Sequence, residues 1–419
     1  MRLSKISLIG VPFFSLVMGI RAVSITDADT RMLSQLPKDL SFCIADLKFN
    51  NTTVNSDGSR GSLKILEFGE GGRSKFKGHD ALYGTGTMWA FFWRYMAAYN
   101  VPMWLVSMPE DAGLRKEINM DLFAQLGGQE AKNITDLRQH IETSLYQQHG
   151  VVTAQHRQDY AAMVLIKKGR PTKTVRKMKE EFPNVIFVGD MSNKFVNNKY
   201  RMSLLFMTDE LKKYRPQCKT CPVKYDPGMA QALINELGCD IFVIKPVNSS
   251  RGRGILMVAK HELDATLRLL FENPAGLLET NLSEEHKYWA TYKSPFFLVE
   301  QYEPSKPIII DEQPYDATMR LVFTIDCCAQ DVNVTIFDGY WKLPAFPLTA
   351  DCSLTDKHKS HIIPGLLSSV KIASEDFADA KMLMEDALRK VYWQMVQTRF
   401  LLLGEAERWA DIDFDALMA

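Results

Sequence analysis

The densest concentration of chemistry in the sequence is Lys245-Pro246-Val247-Asn248-Ser249-Ser250-Arg251-Gly252-Arg253-Gly254. An apolar, β-type run (240–244) leads into it and a second one (255–258) leads out, so strand, turn, strand predicts a hairpin. A lysine at a strand end supplies an ammonium group. Ser249, Ser250, Arg251, Gly252, Arg253 and Gly254 add hydroxyls, guanidinium groups and many backbone N–H groups. These are the donors that a polyphosphate requires. Gly252 and Gly254 let the backbone approach a ligand closely, and Pro246 stiffens the exit from the first strand. The pattern is not GxxxxGK[ST], and its flanking element is a strand rather than a helix, so it is no Walker A loop. Without further context, a tight hairpin with exposed arginines accounts for the same residues.

Other chemically suggestive spacings are weaker. Cys218-Lys219-Thr220-Cys221 has zinc or redox spacing, but a structural zinc needs two more ligands and no second CxxC exists. His358 and His361 could supply them; a solvated loop before Pro222 is the preferred reading. Glycines 69, 71, 72, 78, 84 and 86 do not form GxGxxG. Glu70, Arg73 and Lys75 sit among them, on either a substrate-facing loop or a plain surface loop. Near the end of the sequence, Asp411, Asp413 and Asp415 form either a carboxylate source for a metal or an acidic tail.

The segment 244–255 resembles the phosphate-binding hairpin of ATP-grasp enzymes and is particularly similar to the tubulin-tyrosine-ligase-like branch. Three further features occur in the order of that family. Asn198-Lys199-Tyr200 opens a helix, where the family places a lysine that reaches the nucleotide phosphates; Lys199 is the candidate, with Lys194 second. Phe296 to Tyr302 matches the hinge, whose backbone pairs with the adenine edge. That puts Glu300, Gln301 and Tyr302 at the base and implies that their side-chain identity matters little. Residues 314–325 are similar to the Asp-and-Arg segment after the hinge. Arg320 would then neutralise the γ-phosphate or an acyl-phosphate, and Asp316 would orient it or bind metal. The Asp316–Arg320 spacing is wider than the Asp-x-Arg of that branch. A turn at 337–344 brings Lys342 as another phosphate or substrate contact.

The resemblance covers roughly residues 199–342. It implies ATP and Mg²⁺ as cofactors, with Mg²⁺ screening phosphates and aligning the transferred group. It also implies a carboxylate substrate, with a peptide or protein acceptor suggested by that branch alone. The Glu-x-Asn metal motif of the family is missing, which leaves Asp413 and Asp415 as the metal candidates. The implied function is an ATP-dependent carboxylate–amine or carboxylate–thiol ligase working through an acyl-phosphate, with Arg320 and Lys342 catalytic. The alternative is a catalytically degenerate ATP-grasp nucleotide-binding or interaction protein.

These residues need a scaffold. Residues 63–68 read as a strand, 88–99 as a helix and 101–106 as the next strand, which is βαβ grammar. Apolar runs at 161–167 and 185–188 read as buried strands, and the charged helix between them as solvated. Residues 200–214 and 229–237 have helical character. Leu263, Leu267 and Leu270 mark one helix face, as do Ala380, Met384, Leu388, Val391 and Met395 on a long helix at 377–400. The fold expected is α/β (α+β), a Rossmann-like N-terminal lobe followed by an ATP-grasp domain of two α+β subdomains. The division expected is a signal or N-terminal strand at 1–24, the α/β lobe at 25–195, the phosphate-loop subdomain at 196–300 and the C-terminal subdomain at 301–419.

The bulk composition narrows the class. At 419 residues with 46% hydrophobic residues, the chain needs more than one lobe. Its 50 basic and 50 acidic residues cancel, which gives no general attraction to nucleic acid or an anionic membrane. Seven cysteines form no disulfide framework, which favours a reducing compartment. Residues 6–20, after Arg2 and Lys5 and before Ala22-Val23-Ser24, fit a secretory signal or a buried strand broken at Pro12. They are short for a membrane span. A site that uses ATP favours the strand reading and a cytoplasmic location.

Overall fold

The computed structural model describes residues 36–54, 60–167, 172–196, 198–249, 252–278, 282–328, 331–360 and 368–404. The N-terminal stretch, Ser250, Arg251, His361, Asp411, Asp413 and Asp415 lie outside them. Along the chain the strands are β1 (Asp39–Val54), β2 (Arg60–Glu70), β3 (Met103–Val106), β4 (Gln129–Ala131), β5 (Ala162–Ile166), β6 (Val185–Phe187), β7 (Cys218–Pro222) and β8 (Ile241–Pro246). They continue with β9 (Leu256–Ala259), β10 (Phe296–Gln301), β11 (Ile308–Ile310), β12 (Gln313–Tyr315), β13 (Thr318–Cys328), β14 (Asp331–Lys342) and β15 (Ser369–Lys371). The result is a mixed α/β protein with parallel and antiparallel sheets.

Two compact units interleave in sequence. One comprises residues 1–43, 71–190 and 322–338, the other 44–70, 191–321 and 339–419, so the division cuts β1, β13 and β14 part-way along. The first unit contains a four-stranded sheet in the order β4-β3-β5-β6, all of whose pairings are parallel. Its central strands are apolar along their whole length because helices pack on the sheet. The helix Ile134–His149 starts at Asn133, whose side chain accepts from the Asp136 N–H, and buries Ile134, Leu137, Ile141 and Leu145. The charged helix Thr172–Glu181 is solvated on one side only, since Val175 and Met178 enter the same core.

The βαβ expectation fails at its first strand. β2 belongs to a five-stranded sheet ordered β15-β14-β13-β1-β2, whereas β3 lies in the parallel sheet. The glycine-rich segment between them is not a loop either, for Arg73–Tyr83 and Thr87–Ala97 are helices. The apolar residues of the second helix, Trp89, Phe92 and Trp93, are buried with Phe42, and the rings of Phe42 and Phe92 stack at 4.0 Å.

The second unit holds the predicted hairpin. β8 and β9 are antiparallel with Ile244 opposite Leu256, in a sheet ordered β7-β10-β8-β9. The helices Met229–Leu237 and Leu263–Phe271 cover one face of it, contributing Leu233, Leu237, Leu263, Leu267 and Leu270 to the core. The helical segment expected at 200–214 is broken into Lys199–Leu204 and Asp209–Lys212. The long helix runs from Ser374 to Gly404 and buries all five residues of its expected face.

Two local expectations are corrected. Cys218 to Pro222 is strand β7 rather than a loop; it lies at a sheet edge, where a proline is tolerated because its missing N–H faces outward. The turn expected at 337–344 is instead the end of β14. Gly339 lets β14 lie close to β13, since a Cβ there would come within 2.6 Å of the Arg320 carbonyl oxygen. No helix among the described residues is long and apolar enough to cross a membrane.

Leu267 is fully buried whereas Leu269, on the same helix, is 40% exposed. Leu267→Ala is expected to destabilise this unit by about 2–5 kcal/mol and Leu269→Ala by less than about 0.5 kcal/mol. Paired urea titrations check this, and equal losses would contradict the packing.

Candidate functional site

The site is built in the second unit from three clusters of buried charge. The first lies on the small antiparallel sheet. Leu298 pairs with Lys245 and Glu300 with Val243, so Lys245 and Glu300 are diagonal neighbours on one face. Their side chains form an ion pair, and the other Glu300 oxygen accepts from Arg215 Nη2 at 2.6 Å. Arg215 also donates to the Ile65 and Leu66 carbonyls, both at 3.3 Å, tying β2 to β10. Burial opposes ionisation of Glu300, but Lys245 and Arg215 outweigh it and hold the carboxyl below its usual range.

The hinge assignment therefore changes. The N–H groups of Gln301 and Tyr302 already donate to the Gln217 and Ile241 carbonyls. At position 300 the side chain is engaged too, its carboxylate balancing two cations. Lys199 opens the helix Lys199–Leu204, capped by the Asn198 side chain. It is buried, and its ammonium donates to the Ser249 carbonyl at 2.6 Å. Ser249 is buried too, and its hydroxyl has no hydrogen-bond partner among the described residues.

The hairpin turn is held from outside. Trp289 Nε1 donates to the Gly254 carbonyl at 2.9 Å, and the Arg253 guanidinium lies over the Tyr288 ring at 5.7 Å. Gly254 has φ +71°, and a Cβ there would meet Tyr288 at 2.5 Å and Pro246 at 2.7 Å, so only glycine fits. The Lys359 stem packs beside Gly252, and its ammonium pairs with Glu285.

The second cluster lies on the five-stranded sheet. Ile44, Asp46, Lys48 and Asn50 share one side of β1, opposite Ala45, Leu47 and Phe49. Asp46 accepts from Arg320 Nε at 2.6 Å, Arg320 Nη2 at 2.7 Å and Lys342 Nζ at 2.6 Å. Arg320 Nη1 also reaches the Tyr340 hydroxyl at 3.4 Å. Burial would raise the Asp46 pKa, but the two cations hold it far below the usual carboxylate range. Lys342 is pushed down to about 8 by burial first and by Arg320 second.

The third cluster centres on Asp316, which follows β12. Lys48 donates to Asp316 Oδ2 at 2.6 Å, the Tyr302 hydroxyl does so at 2.7 Å, and the Ser305 N–H donates to Oδ1 at 2.9 Å. His358 Nδ1 lies 2.9 Å from both Asp316 Oδ2 and the Tyr302 hydroxyl. Burial works against ionisation here as well, yet Lys48 outweighs it and the carboxyl stays at about 2. Lys48 also feels Lys245, which links this cluster to the first.

Compared with known proteins, the chain matches no family model and no curated protein. Among solved structures it is similar to a candidate gamma-glutamylcysteine synthetase from Methylobacillus flagellatus, at 9% identity and TM-score 0.40, covering 96% of this chain and 97% of that one. It is also similar to a D-cycloserine synthetase, at 10% identity and TM-score 0.33, covering 70% of this chain and 81% of that one. A third is the D-alanyl-alanine synthetase A of Vibrio cholerae, at 11% identity and TM-score 0.31, with 70% and 81% covered. Likenesses at this level assign no residue, so the roles below rest on the site itself.

The structure thus brings Lys199, Lys245, Ser249, Gly252, Arg253 and Gly254 together at the hairpin, Glu300 to Tyr302 beside it, and Arg320 with Lys342 on Asp46. Asp46, Lys48, Arg215 and His358 were missed. The signal available for the first two was a pair of charges two residues apart in an otherwise apolar strand. In the cysteine-and-histidine zinc reading, His358 is instead engaged in the Asp316 cluster, and His361 lies outside the described residues.

Among the described residues, the buried charged side chains of these clusters are the cations Lys48, Lys199, Arg215, Lys245, Arg320 and Lys342 and the carboxylates Asp46, Glu300 and Asp316, an excess of three positive charges in this set. Half-buried Glu67, close enough to favour the charged forms of Arg320 and Lys342, reduces that to two. A buried cationic excess favours an anionic ligand.

Lys342 gives this a pH signature. An anion favours the protonated amine, so binding is strong below about pH 8 and weakens as pH rises through that value and Lys342 loses its proton. Calorimetric titration with ATP in buffers of different ionisation enthalpy is expected to show proton uptake near pH 8, lost in Lys342→Met. Identical uptake in that variant would assign the proton elsewhere.

Proposed function

We propose that the second unit binds the polyphosphate of ATP and that the chain is an ATP-dependent carboxylate–amine ligase of the ATP-grasp kind. The observation that carries this reading is the buried cationic excess gathered beside a glycine-tuned hairpin whose Ser249 hydroxyl lacks a partner. A buried donor without an acceptor costs roughly 1–3 kcal/mol, and a phosphate oxygen removes that cost.

In this reading Lys199 and Lys245 hold the inner phosphates, Ser249 donates to one of them, and the backbone at Gly252 to Gly254 closes over them. Ser250 and Arg251, which lie outside the described residues, are the further phosphate-binding candidates of this segment. Glu300, Gln301 and Tyr302 border the base, and Asp316 keeps Lys48 charged and in place. A substrate carboxylate oxygen attacks the γ-phosphorus, the bond to the β–γ bridging oxygen breaks, and ADP leaves. Arg320 and Lys342, held as a pair by Asp46, stabilise the charge developing on the transferred group. An amine then attacks the acyl carbon, inorganic phosphate departs and the amine loses a proton. A thiol would follow the same course.

Ser249→Ala is expected to weaken ATP binding about five- to tenfold, the worth of one hydrogen bond to a charged group, without lowering thermal stability, because the hydroxyl has no partner to lose. The reaction is tested with hydroxylamine as a general amine: a panel of amino acids and short peptides is incubated with ATP, and hydroxamate and phosphate are measured. Tight ATP binding without hydroxamate from any carboxylate would instead support a nucleotide-binding protein that has lost the reaction.

A further inference from the structure

ATP-grasp resemblance implies magnesium, so the donor set of the site can be asked whether it fits that ion. Magnesium usually keeps several waters and takes one or two protein carboxylates together with the phosphates. Among the described residues the three buried carboxylates of this site are all engaged, and half-buried Glu67 sits close to Arg320 and Lys342. Asp46 accepts from both Arg320 and Lys342, with the guanidinium bound to both of its oxygens. One Glu300 oxygen is taken by Arg215 and the other by Lys245. Asp316 accepts from Lys48 and Tyr302 on one oxygen and from the Ser305 N–H on the other. Among the described residues no group of three or more His, Cys, Asp or Glu side chains is arranged to hold a metal.

Charge points the same way. Six buried cations belong to the three clusters, and a divalent cation entering among them would meet repulsion from those nearest to it. Lysine and arginine can neutralise phosphate oxygens in place of a metal, with the bidentate geometry of arginine suited to the task. Resting on the nucleotide reading above, we propose that this site takes ATP as the metal-free anion, with Lys48, Lys245, Arg320 and Lys342 doing the screening that magnesium does elsewhere.

The ligand state then differs from that of a magnesium-dependent site in a measurable way. Magnesium withdraws ATP into a complex carrying two fewer negative charges, so it competes with the protein's own cations for the phosphates. Chelating it leaves affinity unchanged or improves it. The ionic-strength dependence should also be steeper in its absence, because more of the phosphate charge is met by side chains.

The test is calorimetric titration of the full chain with ATP in EDTA and in excess magnesium chloride. The expected result is a Kd in EDTA equal to or tighter than that in magnesium, within about threefold if equal. Loss of about tenfold or more in affinity on chelation would overturn the proposal while leaving the nucleotide reading intact. No binding in either condition would overturn both. The Asp411→Asn, Asp413→Asn, Asp415→Asn triple variant covers the remaining carboxylate source. It is expected to bind ATP as the parent does in both conditions. A variant whose affinity in magnesium falls to a level that EDTA no longer changes would show these aspartates supplying the ion and would overturn the proposal.

Discussion

Taking a carboxylate out of water costs several kcal/mol, and it is tolerated only where cations and hydrogen bonds replace the lost hydration. Asp46 meets that condition through three donors from residues almost 300 positions away. The requirement runs in both directions, since Arg320 and Lys342 are themselves buried and need the carboxylate. Satisfying all three fixes the neighbours in the large sheet: β1 must lie beside the strand carrying Arg320, and that strand beside the one carrying Lys342. The observed order β14-β13-β1 does this. Gly339 serves the same constraint by keeping side-chain volume away from the Arg320 backbone.

The smaller sheet solves a similar problem with a different outcome. Glu300 is diagonal to Lys245 across the β8–β10 ladder, so that pair is local to the sheet. Arg215 then extends the cluster to the β2 carbonyls and makes the small sheet's charge part of the larger one's framework. The segment around the helix Leu354–His358 couples these parts again. Thr355 accepts from the Met257 N–H on the hairpin, His358 reaches Asp316, Lys359 lies beside Gly252 and Ser360 accepts from or donates to Thr318. Four residues within a six-residue stretch thus touch the hairpin, its turn and the large sheet. A shift of the turn would be felt at Asp316 through a chain of contacts rather than through a flexible tether.

The sequence was most legible where structure is local. Apolar spacing found the hairpin at β8–β9 and the buried faces of the helices Leu263–Phe271 and Ser374–Gly404, because burial on a helix or a paired strand repeats with the element's own period. It was least legible where an interaction joins distant segments. Asp46 and Lys48 were passed over since nothing near them in the chain explains them; their partners lie at positions 316, 320 and 342. The βαβ reading of β2 and β3 failed because local grammar specifies that a strand exists but not the sheet it joins: β2 lies beside β1 in the large sheet, and β3 pairs with β4 and β5. Family resemblance pointed to Lys199, Arg320 and Lys342, all of them buried, and to Glu300 through its backbone, whereas the structure shows the Glu300 carboxylate paired with Lys245 and Arg215.

A site with more buried cations than carboxylates is not the arrangement that maximises stability of the unliganded chain. Each surplus charge in a low-dielectric setting raises the free energy of the folded state, and the depressed pKa values of Lys48 and Lys342 are the same cost expressed as proton affinity. Replacing any one surplus lysine by methionine would relieve part of it. An anionic ligand, as proposed above, would balance part of it, and on that reading the strain and the ligand are two views of one requirement. A ligand that brings the missing negative charge gains the attraction without adding much desolvation, since the protein has already removed these cations from water. It also stabilises the fold by mass action. On the proposed reading, the electrostatic deficit of the unliganded protein is part of the source of its affinity for an anion, and the carboxylates Asp46, Glu300 and Asp316 limit how large that deficit becomes.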